Sequence, residues 1–576
     1  MTRSSIDRRA FLGALAAGAG ATAATATACA QESPPFKADA DLIARCEGLI
    51  GGNFTPEERA QMLASVDEGV ASLRALAKTR FDNALAPADM FDPRLPGFAL
   101  PAPRRGKKSL PEGAGPAPTN ADDLAFAPAW RQAAWLRQGQ LTSRALTQIY
   151  LDRIAALNPK LNAYVGLAPD ALAAADRADA ERRAGRAHSL LHGLPYALKD
   201  LFDAKGLKTT WGAEPYADRI AAADSAVVAK LQAAGCVLLG KTGVGALAYG
   251  DIWLGKTTRN PFNPDEGSSG SSAGSASAAA AGLCSFAIGT ETLGSIVSPS
   301  HRCGTTGLRP TFGRVSRAGA MALCWSLDKV GPLCRSAWDT ILVLDAINGA
   351  DLADAGSIDA PLAFDPKFDV RSLKIGYDPA WFAGDNVAAP DRAALAAAKA
   401  LGASLVEVKL PDLPFGQLGD IVVIEAAAAF EGLTLDNLDD QLTWQADQAW
   451  PNLFRAARFQ TAIAHVQRSR LRRQTMQAMD ALMAKADVLI HPNFAANLLL
   501  IGNMTGHPTL AFRSGFIERP TRTLFGAPAN PGPQPMRRVP MATSLTGRLF
   551  DEGRLVALGA ALEAALDVAK ERPSLI

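Results

Sequence analysis

Gly270-Ser271-Ser272-Ala273-Gly274-Ser275 runs into the alanine-rich residues 276–282, and beyond the apolar residues 283–288 comes Gly289-Thr290-Glu291-Thr292-Leu293-Gly294-Ser295-Ile296. This pair of stretches decides how the chain reads. A glycine/serine tract standing alone is a flexible linker. Here its flanks belong in a core, so the tract is a tight loop that brings hydroxyls and backbone N–H groups close to a ligand. A second small-residue loop follows the next strand. Two such loops at adjacent strand ends make a site for a nucleophile and an anion hole.

Outward from this centre, short apolar runs at residues 196–198, 236–239, 285–288 and 488–490 read as buried strands. Residues 225–234 and 275–282 read as intervening helices. The alternation predicts an α/β fold, a large mixed to mostly parallel central sheet with helices on both faces. Residues 142–157 place Leu146, Ile149, Ile154 and Leu157 on one helical face, and Pro159 predicts the stop. Helical periodicity also marks residues 40–49 and 57–76, and the Pro/Gly/Lys-rich residues 93–118 read as a connector. The expected organisation is a targeting segment at 1–30, a helical extension and connector at 31–119, and a catalytic domain at 120–576. Within the last, residues 350–480 are expected to form a cap over a cleft, with a long helix at 456–483.

Lys and Arg total 59 against 57 Asp and Glu, in 576 residues of which 48% are hydrophobic. The balance gives no electrostatic footprint for nucleic acid, and the composition is that of a globular protein. Asp7-Arg8-Arg9-Ala10-Phe11-Leu12, followed by a Gly/Ala-rich stretch to Ala28, has the layout of a twin-arginine export signal. The protein is therefore expected in the periplasm. Ala26-Thr27-Ala28-Cys29 reads either as a lipoprotein processing site, which would tether the mature chain to the membrane through Cys29, or as an Ala-x-Ala site that releases it in soluble form. Of the remaining cysteines, Cys324 and Cys334 are near enough in sequence to pair, but spacing alone leaves this open. No Cys/His cluster has metal-ligand spacing, so no metal is expected.

Two familiar patterns fail on context. Gly235-Cys236-Val237-Leu238-Leu239-Gly240-Lys241-Thr242 matches a phosphate loop literally, yet its spacer is itself the strand and Gly243 and Gly245 discourage the helix that must follow. Gly270-Ser271-Ser272-Ala273-Gly274 matches a nucleophile elbow at Ser272, with His465, His491 and His507 downstream. An elbow follows a hydrophobic strand, whereas residues 260–266 are turn-rich.

With its flanks, the region resembles the amidase-signature family. The resemblance rests on 193–200 (Gly-Leu-Pro-Tyr-Ala-Leu-Lys-Asp), 258–264 (Thr-Arg-Asn-Pro-Phe-Asn-Pro), the two loops, 303–311, Thr505-Gly506-His507-Pro508 and 547–552. It implies a Ser–Ser–Lys triad: Ser295 as nucleophile, Ser271 as the bridging serine after a cis peptide, and Lys199 as base. It also implies an oxyanion hole from the N–H groups of Thr292, Leu293, Gly294 and Ser295, and no cofactor. Three positions depart from the family pattern: Glu291 for Asp, Leu293 for Gly, and Val297 for Arg. The expected activity is hydrolysis of a small-molecule amide through an acyl-Ser295 intermediate. A glutamine-hydrolysing subunit of a tRNA-dependent amidotransferase is one alternative, and a catalytically silent exported binding protein is another. Neither the substrate nor the oligomeric state is legible.

Overall fold

The computed structural model describes residues 37–50, 53–101, 109–384, 387–528 and 532–574. The export signal and Cys29 lie outside the described residues. The chain divides into two compact units, Met1–Thr79 and Arg80–Ile576. In the first, helices span Ala40–Ile50 and Pro56–Leu76. The second of these starts at a reciprocal cap, where the Glu58 carboxylate accepts the Thr55 N–H and the Thr55 hydroxyl accepts the Glu58 N–H.

Residues 80–119, grouped by sequence with the extension, fall in the second unit. Asn83 ties them there through reciprocal bonds with the backbone of Ala322, the shorter at 2.8 Å.

Eleven strands of the second unit form one sheet. In chain order they are β1 (Tyr164–Leu167), β2 (Pro195–Lys199), β3 (Val237–Thr242), β4 (Phe286–Glu291), β5 (Thr306–Arg309), β6 (Lys329–Cys334), β7 (Lys374–Tyr377), β8 (Ser404–Glu407), β9 (Val488–Pro492), β10 (Thr509–Pro520) and β11 (Met536–Gly547). Their spatial order is β1-β3-β2-β4-β6-β5-β10-β11-β9-β7-β8.

The sheet is mixed, as expected, but antiparallel pairs predominate, which corrects the mostly parallel expectation. Only β2 with β3, β2 with β4, β7 with β8 and β7 with β9 run parallel. Helical crossovers join the early strands in parallel, whereas β10 and β11 form a long antiparallel ladder and β6 returns between β4 and β5. Apolar runs announce that a strand is buried and carry no information on its direction.

The helix at Ser143–Leu161 runs one turn beyond its expected stop and includes Pro159. A proline so near the end forfeits little. Asn158 locks the exit by exchanging hydrogen bonds with the backbone of Tyr164 at 2.7 and 3.1 Å. The expected long helix at 456–483 is two, Trp450–Ala457 and Ala462–Met483. Thr461 caps the second by accepting the Ala464 N–H at 3.1 Å. Part of the expected cap belongs to the sheet instead, as β7 and β8. The helical remainder reaches the site region, where Trp450 Nε1 donates to the Leu247 carbonyl at 3.0 Å. Cys324 and Cys334 are both buried and unpaired.

Candidate active site

Lys199 ends β2, flanked by β3 and β4, and is fully buried. Its Nζ donates to Ser271 Oγ at 2.7 Å, to Thr290 Oγ1 at 2.8 Å and to Ser272 Oγ at 3.1 Å. Burial drives its pKa well below the ordinary lysine value, against the opposing pull of the Asp328 and Glu291 carboxylates. All three close partners are neutral hydroxyls, so no carboxylate directly compensates a positive charge here.

Ser271 and Ser272 precede the helix Ala273–Ala280, and Ser295 lies just before the helix Val297–Cys303. The Ser272 N–H donates to the Ser295 carbonyl at 3.2 Å, which draws the two loops together. Gly270 is required at its position: its φ is +65° and a Cβ would stand 2.2 Å from Pro299 Cδ. The Ser295 hydroxyl makes no side-chain hydrogen bond among the described residues; Ser295 lines a cavity of about 300 Å³ together with Leu293 and Gly294. The N–H groups of Leu293, Gly294 and Ser295 donate to no described residue. They are free to meet an incoming oxygen.

The three departures from the family pattern have physical accounts. Glu291 is fully buried; one oxygen accepts the N–H groups of Ile296 and Val297 at 2.8 and 2.9 Å, and the other accepts from Arg309 at 2.7 Å and Asn503 at 2.8 Å. Burial alone would raise its pKa, but Arg309, the Val297 N–H and Asn503 outweigh it and hold the group at about 2. The longer side chain thus fixes the turn that presents Ser295. Leu293 keeps a backbone that tolerates a Cβ, and the left-handed geometry falls on Gly294, with φ +92°. Val297 is simply buried in the core.

Sequence reasoning missed Ser272, Thr290 and Asp328. Ser272 appeared only as a failed elbow, yet its hydroxyl donates to the Thr290 carbonyl at 3.0 Å while accepting from Lys199. Asp328 accepts from the Thr292 hydroxyl at 2.5 Å and from the N–H groups of Leu323 and Cys324, bracing the loop from the residue just before β6, 36 positions along the chain.

The rejected patterns are accounted for as structure. Lys241 of the phosphate-loop lookalike points into the protein, donating to the Phe202 carbonyl at 2.6 Å and pairing with Asp200 at 3.1 Å. His491 is buried against Thr546, and His507 against Thr505. Among the described residues, Glu181, His188 and His192 group three ligand-type atoms within 4.8 Å. His192 already uses both ring nitrogens, at the Ala178 carbonyl and the His188 N–H.

Comparison with known proteins bears on the family of the chain. The amidase family model matches residues 145–556. The A subunit of glutamyl-tRNA(Gln) amidotransferase from Roseiflexus castenholzii is 33% identical over 470 residues, 75% of this chain and 94% of that protein. Its counterpart from Hahella chejuensis is 32% identical, covering 76% and 97%. The crystal structure of the native peptide amidase from Stenotrophomonas maltophilia superposes with a TM-score of 0.66 at 29% identity, covering 80% of this chain and all of that one. Sequence match, shared fold and the buried lysine–serine contact lead to one conclusion: this chain belongs to the amidase family, the amidase-signature hydrolases.

Proposed function

We propose that the protein hydrolyses the C–N bond of a carboxylic amide by acyl transfer to Ser295, with Ser271 and Lys199 as proton relay. The observation that carries this reading is the dry, hydroxyl-bound Lys199 amine 2.7 Å from Ser271. A serine hydroxyl attacks only when its proton has an acceptor, and an uncharged amine is one. In the proposed step, Ser295 Oγ bonds to the amide carbon while its proton passes to Ser271, whose own proton passes to Lys199. The relay then runs backwards and protonates the departing nitrogen, without which an amine cannot leave. The free Ser295 hydroxyl is the resting arrangement, since catalytic hydrogen bonds tighten when substrate is bound.

The N–H groups of the 292–295 loop are assigned to the oxyanion. One such donor is worth about 2.7–4 kcal/mol in the transition state. Water then releases the acyl group by the same relay. No step calls for a cofactor.

Fluorophosphonate treatment followed by peptide mapping tests the assignment. An adduct on Ser295 that is absent from Ser295→Ala supports it. An inert protein supports the silent binding protein instead.

A second reading, glutaminase within an amidotransferase, is favoured by the names of the relatives. Hydrolysis of free glutamine in preference to simple amides would support it. The residues before 30 support export by the twin-arginine route, with the mature protein periplasmic and anchored through Cys29. Fractionation of cells carrying Arg8→Lys/Arg9→Lys and Cys29→Ala variants tests both points.

A further inference from the structure

The cavity beside Ser295 is also lined by Arg302, Arg522 and Asp251. Arg302 stands one helical turn beyond Ser298, so the two share a face. Ser298 in turn meets Ser269 at 2.7 Å on the wall of the same cavity. Among the described residues the Arg302 guanidinium has a single weak partner, the Gly267 carbonyl at 3.4 Å.

Its surroundings are rich in positive charge. Arg522 pairs with the buried Glu266 at 2.8 Å. Burial, and then repulsion from Arg302, hold the Arg522 pKa down to about 10. Arg519 also feels Arg302, and its Nε is buried without a hydrogen-bond partner. Arg302 and Arg522 thus line the cavity beside Asp251, with Arg519 and Arg259 close behind, and the carboxylates among these guanidinium groups are Glu266 and Asp251. Glu266 is taken by Arg522 and Asn260. Asp251 gives one oxygen to the Ser269 N–H at 2.8 Å, leaves the other without a partner, and has its pKa raised by burial. A cluster of this kind lacks one anion, and guanidinium forks suit carboxylates.

We infer that Arg302, supported by Arg522, receives a carboxylate on the acyl part of the substrate, so that the amides cleaved are monoamides of dicarboxylic acids or close relatives. This rests on the amidase reading of Ser295. Ser295 lies two residues before Val297, the first residue of the helix, and Arg302 lies five residues beyond Val297, about 7.5 Å of rise, with a helical side chain leaning back toward the N-terminus. The gap suits an acyl chain of a few carbons between the amide and the acid.

The test compares ammonia release from succinamic, glutaramic and adipamic acids with release from butanamide, pentanamide and hexanamide. The wild-type enzyme should favour the acids in kcat/KM by about ten- to a hundredfold. That ratio should fall by about tenfold in Arg302→Gln and recover partly in Arg302→Lys. A separate arm needs no turnover: adipate at millimolar concentration should raise the unfolding midpoint of wild type and of Ser295→Ala, and not of Arg302→Gln.

Hydrolysis of both series without preference, together with no adipate effect, overturns the inference and leaves the amidase reading intact. Stabilisation by adipate with no amide hydrolysed would keep the subsite and overturn the amidase reading.

Discussion

Glu291 and Arg309 form an ion pair with both side chains fully buried, Nη1 to Oε1 at 2.7 Å, and the second Glu291 oxygen holds the N–H groups that open the helix behind Ser295. One carboxylate therefore joins the core of the sheet to the position of Ser295. Removing one partner strands a buried charge, which costs about 3–5 kcal/mol. Arg309→Leu is expected to lower stability by that amount in urea unfolding.

The same carboxylate sets an acid limit. Its pKa is held at about 2 in the fold, against 4.5 for an ordinary glutamate. A depressed carboxylate contributes stability above the unfolded pKa and loses it as pH falls toward the folded one. The contribution is roughly 3 kcal/mol. Unfolding midpoints should decline between about pH 4.5 and pH 2, less steeply in Glu291→Gln, whose starting stability is lower.

On the proposed mechanism Lys199 should set the acid limb of catalysis. Burial depresses its pKa, so the amine is neutral at lower pH than an ordinary lysine, and activity falls once pH drops below the shifted value. Lys199→Ala should reduce kcat/KM by about 10²–10⁴-fold. Lys199→Arg should not restore it, because a guanidinium cannot give up its proton. Initial rates across pH on one amide check all three statements.

The two adjacent serines should separate cleanly. Ser271→Ala removes the proposed relay and is expected to lower kcat by about 10²-fold or more with little change in KM. Ser272→Ala strips a partner from Lys199 and from Thr290, so its main effect should be on stability, about 1–3 kcal/mol. Equal losses of kcat in the two variants would remove the relay from Ser271.

Lys241 is a stability element. Lys241→Met leaves Asp200 buried and uncompensated, with an expected cost of about 3–5 kcal/mol. Addition of a nucleoside triphosphate should leave the unfolding midpoint of the wild-type protein unchanged.

The sequence was informative wherever a residue acts through its near neighbours. Buried strands, the small-residue loops and the position of Lys199 at a strand end follow from local patterning. Strand direction was misjudged because β10 and β11 are set by a hairpin that apolar runs do not encode. The second start at Thr461 was overlooked because a threonine cap inside a periodic stretch has no separate signal. The supports of the site were illegible for another reason. Asp328 reaches Thr292 across 36 residues, and Arg522 comes to the cavity wall from the far end of β10. Nothing in the spacing of such residues announces that they meet.

Burial of Lys199 has a developmental meaning for the molecule. The amine loses its proton only after β2 is walled in by strands and loops made much later in the chain. An unfolded chain carries an ordinary ammonium ion at that position, which on the proposed mechanism cannot accept the serine proton. On the proposed mechanism the relay therefore exists only once the neighbouring strands and the two serine-bearing loops have folded around Lys199.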